Sequence, residues 1–397
     1  MRVTQNLNQA QFVAALNTLE SNLSQTQNQI SSNLSFTTPS QNPVAAGAVT
    51  NYNQALLQSQ QYDTNANSAQ TRLSTEDTSL SQVQNALQSL RDLALQANSG
   101  TLSSQDRSAL ATQATQIQAT LVSLANTQDG NGEYIYGGFA TQSQPFALSA
   151  TGATYSGDQG QRQVQIAAGQ TVAVGDSGAV VFNQIKTGNG TFTAAAGAGN
   201  TGTGVLGAST VANPAAYDGG TYAINFTAAN TYEVRDSNNV LVTSGSYTAG
   251  QSIAFRGVQV AINGAPAAGD TFSVAPSANQ SVFTTVQNLI SALQSGASSP
   301  VAQAALNNSV NTAINNIDQA LNQTSNVRSS VGGRLNSITT QQSVSSSQQI
   351  QLQSSISSLQ SLDYASAITK LNEQNTTLSA AMQAYTLTQG LSLFKYI

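Results

Sequence analysis

Phe12, Leu16, Leu19, Leu23, Thr26 and Ile30 recur at alternating steps of four and three, which lays one seam along a helix. "TTPSQNP" at 37–43 should end it, because two prolines this close break a helix. A second seam carries Leu73, Leu80, Val83, Leu87, Leu90, Ala94 and Ala97 as far as "NSGTLSS". The serine closing that loop, with Asp106 close behind, reads as a capped start. The helix it opens carries Leu110, Ile117, Leu121 and Leu124 and runs to the turn "DGNG" at 129–132.

From about residue 145 the period changes to two. "RQVQIAAGQTVAV", "TYAINF", "YEV", "VLV" and "VQVAI" alternate between Gly, Asn and Asp turns, predicting short strands as far as about residue 277. The Gly/Ala/Thr run "TAAAGAGNTGTGVLGAST" reads as a long loop or mobile boundary dividing this region in two. Helical spacing returns with Val282, Val286, Leu289 and Leu293. Pro300 then sits where a new helix can begin. The next seam carries Val310, Ile314, Ile317, Leu321, Val331, Leu335 and Ile338, and its Gly332–Gly333 pair is either a kink or a place where a neighbouring helix comes close. A last stretch has Leu352, Ile356 and Leu359 and then, after a phase shift, Ile368, Leu371, Asn375, Leu378, Met382 and Tyr385 in coiled-coil spacing.

Helices, strands, then helices imply that both ends of the chain enter and leave one inserted region and so return to each other. The expected fold class is α+β: a long antiparallel helical bundle or coiled coil built from both chain ends, with an inserted all-β outer region. Its expected parts are 1–40 with 342–397, 41–146 with 278–341, and 147–277, and residues 352–397 should pair with 3–34. The final "LSLFKYI" is apolar on more sides than one partner helix covers. Each side chain buried there is worth roughly 1.5–3 kcal/mol, so the ends are expected to order on neighbouring subunits.

Composition narrows the function. Charged residues are 7% of the chain, against about 25% in a typical soluble protein. Such a surface suits packing against copies of itself, and equally a secreted protein with a Gln/Asn/Ser-rich exterior. A net charge of −5 without a basic cluster argues against nucleic acid. Cysteine and histidine are both absent, which removes disulfides, thiol chemistry and the commonest general base and metal ligand. No Sec-type signal core and no apolar run of about 18 residues is visible, so membrane insertion is not expected and any export takes another route. The acids of the β part, Asp158, Asp176, Asp218, Glu233, Asp236 and Asp270, are scattered in turn strings. A carboxylate-pair hydrolase needs two of them at a set separation. The tyrosines Tyr217, Tyr222, Tyr232 and Tyr247 fit either a core or a sugar-stacking surface, the latter making the chain a secreted adhesin.

Several strings resemble the bacterial flagellin superfamily, in its hook–filament junction branch: "QISSNLSFTTPSQNPVAAGAV" (29–49), "GEYIYGGFATQSQPF" (132–146), "YSGDQGQRQVQIAAGQTVAV" (155–174), "GDTFSVAPSANQSVF" (269–283), "VGGRLNSI" (331–338) and "LFKYI". Residues 188–265 resemble nothing in that pattern. "SNLSF" stands where relatives carry basic residues, and "SQNP" is less acidic than the usual turn. The resemblance implies a non-catalytic structural protein without cofactor, exported through the flagellar type III channel with an export chaperone. It would form a ring of identical subunits between hook-associated protein 1 and flagellin, with flagellin itself as the nearest alternative. It further implies assembly contacts at Phe12, Leu16, Leu19, Leu23, Ile30, Leu371, Leu378, Met382, Tyr385, Leu391, Phe394 and Ile397.

Overall fold

The computed structural model describes residues 2–100 and 102–390, and the fold is α+β. Leu391, Phe394, Ile397 and the rest of "LSLFKYI" lie outside the described residues. The chain forms two compact units, Met1–Thr64 with Gln341–Ile397, and Asn65–Thr340.

In the first unit, helix α1 (Arg2–Ser32) stops where Asn33 takes a left-handed φ of 58° and the Leu34 N–H reaches back to the Gln29 carbonyl at 3.2 Å. This is the usual way to satisfy the last carbonyls of a helix. Helix α2 (Pro43–Ala97) opens at the second proline of "TTPSQNP", with Asn42 Oδ1 accepting from the Ala45 N–H at 3.1 Å. The seam that predicts α2 is clear only from Leu73 onward. Its first half is Gln/Asn/Ser-rich, and several of its apolar residues, including Val44 and Leu57, are exposed.

The phase shift in the last segment is a real interruption. Between the long helix that ends at Gln360 and the last one, which starts at Tyr364, Asp363 accepts from the Ala365 N–H (3.0 Å) and the Ser366 hydroxyl (2.7 Å). The Ser366 hydroxyl, more than any other group, holds the Asp363 carboxyl below its ordinary pKa. The two breaks lie side by side. Ser35 N donates to Gln360 O (2.7 Å), Leu362 N to Asn33 O (3.3 Å), and Leu34 bridges Ser361 antiparallel. Ile356 and Leu359 pack on Phe36, Ala45 and Val49. Of the expected pairing of 352–397 with 3–34, only the part after the break pairs with α1. The part before it belongs to the preceding helix and covers Phe36, because Asp363 ends one helix and starts another.

In the second unit, α3 (Ser104–Ala125) has a capping box between Ser103 and Asp106, so the cap is one residue ahead of the serine that closes the loop. Helix α4 (Val282–Gln294) is capped by Ser281, and α5 (Pro300–Gln360) starts on its proline. Helices α2 and α5 run antiparallel, with Asn98 against Asn311, Arg91 against Asp318 and Asp77 against Arg328. Leu73, Leu80, Leu87, Leu90, Leu121, Leu289, Val310 and Ile317 share one apolar core with Phe146, Phe182 and Phe283. Helix α5 passes through Gly332–Gly333 unbroken, and nothing lies within 4 Å of where a β-carbon on either would stand. No helix among the described residues therefore comes close to the chain there.

The strands are β1 (Phe146–Ser149), β2 (Gly152–Tyr155), β3 (Gln163–Ala167), β4 (Gln170–Ala173), β5 (Ile185–Lys186), β6 (Phe192–Ala196) and β7 (Val205–Val211). They continue with β8 (Tyr222–Ala228), β9 (Thr231–Asp236), β10 (Leu241–Ser246), β11 (Ser252–Phe255), β12 (Val258–Asn263), β13 (Thr271–Pro276) and β14 (Asn279–Gln280). All pairings are antiparallel. A five-stranded sheet in the order β10-β9-β8-β13-β6 and a three-stranded sheet in the order β11-β12-β7 enclose one core of Phe192, Leu206, Tyr222, Phe226, Val260 and Phe272 among others. Hairpins β1-β2 and β3-β4 and the pair β14-β5 stand apart from these sheets.

The Gly/Ala/Thr run is therefore not a long loop. Its first part is β6, where Ala194 and Ala196 pack against the core, and its last part is β7, paired with β12. Small side chains hid both strands. The turn between them is fixed by the Asp270 carboxylate, which accepts from the N–H groups of Thr201 (2.7 Å), Gly202 (3.1 Å) and Ala267 (2.9 Å).

Edge strand β7 is covered by α5. Asn308 accepts from Leu206 N at 2.8 Å and donates to Gly204 O at 2.9 Å, while Asn311 donates to Leu206 O at 2.9 Å. Asn308→Ala leaves the Leu206 N–H buried without an acceptor and is expected to cost about 1–3 kcal/mol. Urea unfolding reads the loss, and faster hydrogen exchange at Leu206 locates it.

Candidate assembly interface

The α1 seam is as the spacing predicts. Phe12, Leu16, Leu19, Leu23 and Ile30 are half-buried and Thr26 is fully buried, its hydroxyl turned back to the Asn22 carbonyl. The last helix, α6 (Tyr364–Gly390), packs against it antiparallel. The Phe12 and Tyr385 rings stack at 5.4 Å and 18°, Gln9 reaches the Tyr385 hydroxyl, and the Tyr364 hydroxyl donates to Ile30 O.

On α6 the covered positions are Ala367, Leu371, Gln374, Leu378, Ala381 and Tyr385. The predicted seam is thus right at Leu371, Leu378 and Tyr385 and displaced by one residue at Ile368, Asn375 and Met382, all exposed. Alanine allows closer approach of two helices than isoleucine or methionine, and size alone had suggested the larger residues. Spaced by seven, Ile368, Asn375 and Met382 line up on α6 beside the covered seam and stay exposed. Leu387 is exposed too, at 70%, and so are Leu7 and Val13 on α1. The pair therefore keeps apolar side chains on its outside. The signal for Leu7 and Val13 was present in the sequence as apolar residues out of phase with the seam.

The acids of the β part are engaged within the chain. Asp158 accepts from the backbone N–H groups of Phe139 (2.9 Å) and Gly160 (2.6 Å), which hold its carboxyl below the usual range. Asp218, lowered chiefly by the Tyr222 hydroxyl at 2.5 Å, also takes the Gly220 N–H. Asp236 closes the turn to β10 through the N–H groups of Asn238 and Val240, Glu233 pairs with Arg235, and Asp176 pairs with Arg334. Tyr222 and Tyr247 are buried, and Tyr217 and Tyr232 pack against the same core, so these four rings are not a sugar-stacking surface. Among the described residues no group of His, Cys, Asp and Glu is placed to hold a metal, and no helix is long and apolar enough to cross a membrane.

Paired terminal helices around an antiparallel insert are the arrangement that the resemblance to the flagellin superfamily implies. Residues 3–141 match the bacterial flagellin N-terminal helical region, 314–397 match the bacterial flagellin C-terminal helical region, and 195–276 match the D2-like domain of flagellar hook-associated protein 1. The last match covers 195–265 of the 188–265 stretch that resembled nothing. The structure is similar to that of Xanthomonas campestris FlgL, with a TM-score of 0.73 and 37% identity over 77% of this chain and 99% of that one. It is also similar to the flagellar junction protein FlgL from Legionella pneumophila, with a TM-score of 0.72 and 31% identity over 79% of this chain and 100% of that one. The chain belongs to the FlgL family, that of flagellar hook-associated protein 3. Among curated relatives, flagellar hook-associated protein 3 of Salmonella typhimurium is 38% identical over 159 residues, 40% of this chain and 50% of that protein. The chain thus aligns with about half the length of the curated relatives it matches.

Proposed function

We propose that this chain is a structural subunit of the bacterial flagellum, forming the extracellular junction ring between hook-associated protein 1 and the flagellin filament, and that it has no catalytic role. It is carried out by the type III route with an export chaperone. The three-part division 1–40 with 342–397, 41–146 with 278–341, and 147–277 belongs to the same reading, with the helical ends as the assembling part. The observation that carries it is the set of large apolar side chains that the α1–α6 pair leaves exposed, Ile368, Met382 and Leu387 with Leu7 and Val13. Exposed apolar side chains grouped on one element mark an interaction surface. The seam residues Phe12, Leu16, Leu19, Leu23, Ile30, Leu371, Leu378 and Tyr385 hold the two helices together. Met382, with Leu391, Phe394 and Ile397, then meets neighbouring subunits. The engagement of each acid in a turn or ion pair supports a non-catalytic reading.

The test is a double substitution, Met382→Ser with Leu387→Ser. Exposed positions of this kind change stability by no more than about 0.5 kcal/mol each, so the melting curve of the dilute protein should barely move. Assembly onto hook-associated protein 1, followed by sedimentation, should be lost. Normal assembly by the double variant would remove Met382 and Leu387 from the interface. In the wild-type protein, protease protection of both ends should rise on assembly.

A further inference from the structure

Charge is scarce in this chain, with 12 Lys and Arg and 17 Asp and Glu, yet a group of charges meets at the base of the β3–β4 hairpin. Arg72 of α2 pairs with Asp129 and with Glu133 (3.1 Å), and Glu133 also pairs with Arg162 just ahead of β3. Asp176, just after β4, is held by the Arg334 guanidinium of α5 at 2.9 and 3.0 Å and by Gln161 at 2.9 Å. Glu76 of α2 lies beneath them, fully buried.

Its two oxygens are treated differently. Oε1 accepts from the main-chain N–H of Asp176 at 3.0 Å, whereas Oε2 is buried without a hydrogen-bond partner. A carboxylate in that position leaves a charge unsolvated and is strongly disfavoured, while a neutral carboxyl is tolerated. The groups facing Glu76 are Arg72 on its own helix, Asp176 after β4 and Arg334 on α5. The buried Tyr136 ring of the loop after α3 faces it as well, close enough that the Glu76 charge adds to burial in raising the phenol. Burial first and the Asp176 carboxylate second push Glu76 up to about 8, against the Asp176 N–H and the two guanidiniums.

We propose that Glu76 is a proton-controlled latch: neutral, it stays buried against the Asp176 main chain and keeps the β3–β4 hairpin on α2, and ionised, its unsolvated charge beside the Asp176 carboxylate drives the hairpin open. Other ties of the hairpin include a shared apolar core through Ile166 and Val172, the hydrogen bonds of Asn65 to Gln165 O and of Gln170 to Ser337, and the ion pairs of Arg162 with Glu133 and of Asp176 with Arg334 at its base. The folded value lies above the ordinary 4.5. The hold is therefore complete below about 4.5, weakens as pH rises to about 8, and is constant above that.

Hydrogen exchange of the full chain between pH 5.5 and 9, corrected for intrinsic rates, tests this at the amides of residues 174–178. In the wild-type protein their opening constant should rise about tenfold per pH unit and level off near pH 8. In Glu76→Gln it should be flat, with Phe226 and Val260 of the outer core unchanged in both. The infrared band of a protonated buried carboxyl, present in the wild-type protein at pH 7 and lost above pH 9, reads the same proton without a variant. A flat profile at 174–178 in the wild-type protein would overturn the proposal. So would an equal slope in Glu76→Gln, or the same slope at every amide of the unit, which would mean global opening.

Discussion

Phe182→Ala is expected to lower the stability of the Asn65–Thr340 unit by about 3–5 kcal/mol, the cost of truncating a fully buried aromatic side chain. Phe182 sits on a single π-helical turn, Ala179–Asn183, and is 1% exposed. Its ring meets Tyr136 edge-on at 5.2 Å and 86°, Phe146 edge-on at 5.3 Å and 79°, and Phe283 at 5.7 Å. Three other stretches converge on it: the loop after α3, β1 and α4. Edge-to-face pairs add about 0.5–1.5 kcal/mol beyond the area they bury. Collapse around the missing ring is limited, because the Phe146 ring already presses on Gly178, where a β-carbon would stand 2.6 Å from it. Chemical unfolding followed by tyrosine fluorescence measures the loss. A cost under about 1 kcal/mol would mean that the site refills and that the ring cluster is not what joins these elements.

The second large effect is expected at Asp270, which is 1% exposed and accepts N–H groups from both the 197–204 turn and the turn before β13. Asp270→Ala removes one acceptor from several donors at once. At about 1–3 kcal/mol for each donor left buried, reduced because Thr201 reaches solvent, the total should be about 2–4 kcal/mol. The exchange of the Thr201 and Gly202 amides should accelerate far more than that of Ile224 in β8. Equal acceleration at all three would show that the turn is not separately held. Asp270→Asn keeps one acceptor oxygen but points an amide N–H at another N–H, so it should recover only part of the loss.

These two sites differ in how far the sequence announces them. Asp270 follows Gly269 in a turn string and reads as a turn acid, but two of its partners, Thr201 and Gly202, are 69 and 68 residues away in a run whose Gly and Ala content imitates disorder. No local pattern connects the two. The strands with large alternating residues, such as Tyr222–Ile224–Phe226 and Val258–Val260–Ile262, were legible because each buries a full side chain every second position. Strand β6 was not, since alanine serves a core and a loop equally well.

The candidate interface divides in the same way. On α1 the seam is built from large residues and a buried threonine, so its phase could be read directly. On α6 the covered positions alternate leucine with alanine and glutamine, and the phase became visible only once α1 was seen packed against it. The breaks at 33–42 and 361–363 were marked locally, by two prolines in one case and by the phase shift in the other. Their lateral pairing through Ser35, Gln360, Asn33 and Leu362 depends on the fold.

That pairing fixes the alignment of α1 and α6 from one end, much as a rivet sets two rulers. A residue inserted into α1 between Phe12 and Asn33 would move Phe12 about 1.5 Å along the axis and turn it by about 100°, out of its stack with Tyr385. Only a compensating change between Ser361 and Tyr385 could restore the match. In the history of this family, length changes in the two terminal helices should therefore have been accepted in pairs. The exposed turn at Asp236–Val240, held by the Asp236 carboxylate and contacts local to the hairpin, should tolerate a change of length alone.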